Sequence, residues 1–179
     1  TISIYEKRLQ SFREFEESLK KIRHLPARTK DSRDIELAAN IEFTSEAASA
    51  NEMGSDGIGL FRTEYLYLTQ SELPSEEEQF QEYKSVVEQF NDKPIIIRTF
   101  DVGGDKMPRT ITIPPEENPF LGLRAIRLYH NANKEIIKTQ LRAIIRTSLY
   151  GKVRILFPMI SSVSEIEFCQ ELINEAKNE

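Results

Sequence analysis

Ile95-Ile-Ile-Arg-Thr-Phe-Asp-Val-Gly-Gly-Asp-Lys106 is an apolar run that ends in arginine and threonine and passes into polar, glycine-containing chain. One helix earlier the same arrangement stands at Gly57-Ile-Gly-Leu-Phe-Arg-Thr-Glu64. Short, nearly continuous apolar runs bounded by polar or glycine residues are expected of parallel strands covered on both faces, because such strands have no wet side on which to alternate. Two further runs fit, so the reading is four strands at 35–41, 57–61, 95–100 and 153–157.

Helical patterns fall between them. Residues 44–53 form a short helix that closes on Gly54, a left-handed cap. Ser75 with Glu78 is a capping box that opens into Phe80, Tyr83, Val86, Val87 and Phe90. Two stretches, about 120–130 and 134–150, precede the fourth strand, the second ending at Gly151. Ser162 with Glu165 is another capping box, and opens a last helix carrying Ile166, Leu172 and Ile173. At the start of the chain Tyr5, Leu9, Phe12, Phe15, Leu19 and Ile22 recur at steps of three and four, one face of an amphipathic helix. It ends near His24, since Pro26 biases Leu25 away from helical geometry. Residues 1–33 are therefore expected to be a linker helix with its connecting segment, and 34–179 the main domain. Alternating strands and helices point to an α/β fold with a parallel sheet and right-handed crossovers. Four such units make either half a barrel or a small open sheet, and the strand patterns are the same in both.

Composition narrows the function. The 179 residues are 39% hydrophobic and 30% charged, enough for one ordinary domain core. The longest apolar runs are far shorter than the roughly 20 residues that span a bilayer, so no membrane insertion is expected. A formal charge of -5 argues against a nucleic-acid partner, which calls for a basic stripe. One cysteine, Cys169, excludes an internal disulfide and fits a reducing cytoplasm. With only His24 and His130 beside it, a zinc cluster is not expected.

Ligands of parallel α/β folds sit beyond the carboxyl ends of the strands, and two of these ends carry arginine followed by threonine, Arg62-Thr63 and Arg98-Thr99. Two guanidinium forks around one mouth match carboxylate or phosphate oxygens. The duller alternative is that each arginine pairs with a nearby acid such as Glu64 or Asp101 and only braces the strand ends. Gly103 and Gly104 would let backbone approach a ligand, or simply make a turn. Further on, Arg124 could point back to the mouth from a helix starting near Pro119, whereas Arg127 suits an ordinary ion pair on a solvated face. His130 and His24 read as structural or exposed, Cys169 as a small core residue, and the acidic run 76–78 as a favourable first helical turn.

At this point the wording of the sequence becomes specific. Gly57-Ile-Gly-Leu-Phe-Arg-Thr-Glu-Tyr-Leu-Tyr67, Leu73-Pro-Ser-Glu-Glu-Glu-Gln-Phe80, Ile97-Arg-Thr-Phe-Asp-Val-Gly-Gly-Asp-Lys106 and Glu116-Glu-Asn-Pro-Phe-Leu-Gly-Leu-Arg-Ala-Ile-Arg127 closely resemble consecutive motifs of the enzyme I family of the sugar phosphotransferase system. The resemblance runs from the leading helix to Phe157-Pro-Met-Ile160. Pyruvate phosphate dikinase and phosphoenolpyruvate synthase share the pattern more loosely. The resemblance implies the first half of a phosphoenolpyruvate-binding (β/α)8 TIM barrel, about four βα units behind a linker helix. It implies that Arg62 and Arg98 grip the phosphate of phosphoenolpyruvate with help from Arg124, with Asn118 and Lys106 as further candidates. In the family a phosphoryl group passes from phosphoenolpyruvate to an enzyme histidine and on to the carrier HPr, in a cytoplasmic homodimer that uses Mg2+. The phosphorylated histidine and HPr-binding helices would precede Thr1, and the magnesium carboxylates and catalytic cysteine would follow Glu179. No catalytic or metal-binding residue is therefore expected in this chain, and it should be inactive alone. A half barrel acting only as a dimerisation module is the alternative from another class.

Overall fold

The computed structural model of the chain describes residues 2–68, 72–103, 117–118, 122–129 and 133–179. Helix α1 (Ile2–Lys20) leads, followed by β1 (Ala39–Ile41), α2 (Glu46–Glu52), β2 (Ile58–Phe61), α3 (Tyr65–Leu68), α4 (Glu76–Val87), β3 (Ile95–Arg98), a 3-10 turn (Ala125–Tyr129), α5 (Lys134–Thr147), β4 (Val153–Leu156) and α6 (Val163–Asn178). The four strands form one parallel sheet in chain order, β1-β2-β3-β4. The helices line up in the same order, with α4 packed on α5 and α5 on α6.

The sheet is unequally covered. Along β3, Ile95 and Ile97 are buried while Ile96 and Arg98 are only partly so, because the residues of a strand alternate between faces. One face therefore belongs to the core of Ile58, Phe61, Tyr83, Val86, Ile137, Leu141 and Ile144. The other is half covered, so the continuous apolar run at 95–97 reflects strand propensity as well as burial. Both capping boxes form as expected. Glu78 N–H donates to Ser75 Oγ at 3.2 Å while Ser75 N–H donates to Glu78 Oε2 at 2.8 Å, and Ser162 with Glu165 repeats the arrangement.

Two sequence expectations change. The first strand is only residues 39–41, because the polar groups just before it are used elsewhere: Ile35 N–H donates to Ala27 O, and Leu37 exchanges bonds with Asp56. The stretch expected to be a helix at 120–130 is, where it is described, a 3-10 turn at Ala125–Tyr129, and Ala125 stands at φ +49°. Pro119 and His130 lie outside the described residues. Helix α1 contributes nothing to the core: none of its residues is buried, and Tyr5, Leu9, Phe12, Phe15 and Leu19 are exposed.

Where α1 gives way to the domain, the join is tight. Gly54 has φ +84°, the left-handed cap expected of it, and a Cβ there would lie 2.0 Å from the Arg23 carbonyl oxygen. Only glycine permits both that conformation and that approach. Among the described residues no helix is long and apolar enough to cross a membrane. Cys169 is buried, and that burial pushes its thiol up to about 11, in keeping with a core residue.

Candidate functional site

Strand register builds the site. Ile41 pairs with Phe61, Phe61 with Ile97, and Ile97 with Ile155. The next residues, Glu42, Arg62, Arg98 and Leu156, therefore stand in one row across the carboxyl ends of the strands. Arg62 and Arg98 are neighbours in that row, as their matching positions after β2 and at the end of β3 suggested.

Each arginine meets a carboxylate of its own chain. Arg98 Nη2 donates to Glu64 Oε1 at 2.9 Å, and its Nη1 lies 3.8 Å from Asp101 Oδ2. Arg124 donates to Asp101 Oδ1 from Nε at 3.1 Å and from Nη2 at 2.8 Å. Asp101 N–H in turn donates to Glu64 Oε1 at 2.7 Å. Arg98, Glu64, Asp101 and Arg124 thus form one bonded group, half sunk in the protein. Arg62 is held differently: Glu42 lies 3.4 Å away, and both side chains are about two fifths exposed, at 41% and 39%. An ion pair that long and that wet contributes little. The Nε atoms of Arg62 and Arg98 are buried with no hydrogen-bond partner among the described residues. A buried donor left unpaired costs about 1–3 kcal/mol, so the row holds guanidinium groups with unused capacity.

The threonines after each arginine fix the strand ends. Thr63 Oγ1 donates to the Arg98 carbonyl at 3.0 Å, and Thr99 N–H donates to the Leu156 carbonyl at 3.0 Å. Both threonines are buried. Beneath them Gln140, fully buried on α5, accepts from Phe100 N–H at 3.0 Å and donates to Thr63 Oγ1 and to the Tyr83 hydroxyl, each at 3.0 Å. Phe100 is also held at its carbonyl, by the Tyr129 hydroxyl at 2.9 Å, and at its ring, which stacks on Tyr67 with centroids 4.0 Å apart. Burial raises the phenols of Tyr67, Tyr83 and Tyr129 above their ordinary range, so all three keep their protons at neutral pH.

Arg124 reaches the mouth because of Gly103. A Cβ at Gly103 would lie 2.3 Å from Arg124 Cβ, and the segments are tied by Ala125 N–H donating to the Val102 carbonyl at 3.0 Å. The bare backbone at 103 thus makes room for the arginine segment. Arg127, expected to make an ordinary ion pair, pairs with Glu165 Oε1 at 3.0 Å and also clamps the turn before α6 by donating to the Met159 carbonyl at 3.1 Å and to Ser161 Oγ at 3.2 Å. Asn118 is exposed. Lys106 and Gly104 lie outside the described residues. Among the described residues no group of three or more His, Cys, Asp or Glu side chains is placed to hold a metal ion.

Two residues of the site were not named from sequence. Glu42, the partner of Arg62, follows β1 by one position, and only the register brings it there. Gln140 had a visible signal: it is a polar residue in the apolar stripe of Ile137, Leu141 and Ile144.

Known proteins with the same sequence features sharpen the picture. Residues 16–179 match the family described as PEP-utilising enzyme, PEP-binding domain. A phosphoenolpyruvate-protein phosphotransferase of Latilactobacillus sakei is 43% identical over 98% of the chain, and one of Priestia megaterium 41% identical over 99%. One from Buchnera aphidicola subsp. Schizaphis graminum is 51% identical over 84% of the chain. The chain spans 30%, 31% and 26% of the length of these three curated relatives, respectively. With the match covering everything from residue 16 on, the chain belongs to the family of PEP-binding domains of PEP-utilising enzymes.

Proposed function

We propose that this chain is the first half of a phosphoenolpyruvate-binding (β/α)8 barrel, residues 34–179, entered through a linker arm at 1–33, in a phosphoenolpyruvate-protein phosphotransferase. In that reading Arg62 and Arg98 grip the phosphate of phosphoenolpyruvate and Arg124 assists, with Asn118 and Lys106 as further candidates. The observation that carries it is the row of Arg62 and Arg98 on adjacent strand ends, each with an Nε that has no partner among the described residues. Phosphoryl transfer needs charge on the equatorial oxygens neutralised and the group held in line, which paired guanidinium groups supply. Transfer to an enzyme histidine and then to HPr, a homodimeric state and a cytoplasmic location belong to the same reading. Magnesium would serve the whole enzyme. The described residues offer it no ligand cluster, and no step proposed for this chain passes through it.

The acids decide how the arginines differ. Glu42 holds Arg62 loosely, so Arg62 is the readier to turn toward a ligand. Arg98 is fixed by Glu64 and Asp101, and presents what remains of its guanidinium in a set direction.

The test is titration of phosphoenolpyruvate into the chain, with and without magnesium. The expected result is weak, magnesium-independent binding that falls at least about tenfold in Arg62→Ala and in Arg98→Ala, a loss equal to about 1.4 kcal/mol. Binding that survives both substitutions unchanged, or no binding by the wild-type chain, would overturn the proposal.

A further inference from the structure

The Gln140 amide has a determined orientation. Phe100 N–H can only donate, so the atom 3.0 Å from it must be the amide oxygen, and the NH2 group must face Thr63 and Tyr83. That assignment sets the direction of every hydrogen beyond it. Thr63 Oγ1 accepts a hydrogen bond from Gln140, so its own hydroxyl donates to the Arg98 carbonyl at 3.0 Å. Tyr83 accepts the amide's other hydrogen bond and donates to Gln79 Oε1 at 3.1 Å, which also accepts from Tyr67 at 2.8 Å. Gln79 closes the chain by donating to the Pro74 carbonyl at 3.0 Å. Every polar side chain in this network is buried.

Two of the three ends of the network lie beside the arginine row, and the third runs through Gln79 to the Pro74 carbonyl. One branch ends on the carbonyl of Arg98 itself, through the threonine that follows Arg62. The oxygen end fixes Phe100, whose next residue, Asp101, holds Arg124 and lies beside Arg98. We infer that Gln140 is a positioning residue for the anion mouth: one amide, on a helix behind the sheet, sets the spacing of the β2 and β3 ends and hence of Arg62, Arg98 and Arg124. The inference rests on the reading of that mouth as a phosphate site. It adds a residue that touches neither ligand nor arginine side chain.

Gln140→Leu keeps the volume and removes the amide. Its buried neighbours Phe100 N–H and Thr63 then lose their partner, and the strand ends are free to shift. The readouts are the side-chain Nε–H resonance of Arg98 and the affinity for inorganic phosphate. Leu141→Ala, one position along α5, is the control for loss of stability without loss of the network. Gln140→Leu is expected to move the Arg98 resonance and weaken phosphate binding at least about tenfold, with Leu141→Ala doing neither. Thr63→Val removes only the branch to the Arg98 carbonyl; it should move the same resonance, and it decides the question if Gln140→Leu does not fold. An Arg98 resonance unchanged in Gln140→Leu or, failing that, in Thr63→Val, or moved equally by Leu141→Ala, overturns the inference. A wild-type chain that binds no phosphate sinks the anion reading instead, while the Arg98 resonance still decides whether Gln140 sets the strand ends.

Discussion

Helices α1 and α5 carry the same kind of sequence and meet opposite fates. Each has an apolar stripe at steps of three and four with charged residues between. In α5 the stripe of Ile137, Leu141 and Ile144 is wholly buried against α4, α6 and the sheet, and the charges face outward to Glu76, Glu135 and Glu175. In α1 the stripe is open, with Phe12 and Phe15 each 57% exposed. Periodicity therefore specifies that a face is apolar, while burial depends on what the rest of the chain brings to it.

That contrast can be broken most directly by paired truncations. Leu141→Ala is expected to cost about 2–5 kcal/mol in chemical denaturation, because it opens a cavity in a packed core. Phe12→Ala should stay within about 0.5 kcal/mol of wild type. Equal losses would mean that the stripe of α1 is packed after all. The next effect in size lies at the join between the two regions. Gly54→Ala sets a Cβ against the Arg23 carbonyl in a left-handed backbone conformation, and should cost about 1–3 kcal/mol. It should also hasten tryptic cleavage at Lys21 and Arg23, and a digestion rate equal to wild type would separate the arm from that glycine. The smallest effect belongs to the start of α6. The Ser161 amide, with Arg127, the Ser161 hydroxyl and the Ser162 amide, holds the Glu165 carboxyl down to about 2 from an ordinary 4.5, against an opposing push from burial. Because the folded value is the lower one, this stabilisation is complete above pH 4.5 and is lost as pH falls through 2. The stability difference between wild type and Glu165→Gln should therefore be seen at pH 7 and vanish near pH 2. A difference that stayed constant across that range would show that the carboxylate charge is not what fastens the helix.

The parts of the fold visible in the sequence were those written locally. The capping boxes at Ser75 and Ser162 span three residues each, and Arg62 and Arg98 announce themselves by ending apolar runs. Even the duller alternative for Arg98, pairing with Glu64 and Asp101, was readable from proximity. What was hidden depends on partners far along the chain. Residues 35–38 look like strand until Ala27 and Asp56 take their backbone groups. Glu42 finds Arg62 only through strand register. Gln140 joins Thr63, 77 positions away, and nothing near it in sequence says so.

The pairing of each mouth arginine with a carboxylate also bears on the speed of capture. The chain carries a net charge of -5, and its arginine row brings its own counter-ions. Among the described residues, then, the row adds little net positive charge to draw an anion inward across the screening length of about 8 Å. In the proposed reading, encounter is then decided at contact, where a phosphate would meet the guanidinium nitrogens that the carboxylates leave unused. Added salt, which slows association wherever opposite charges steer it, would relieve the long-range repulsion here and quicken the approach.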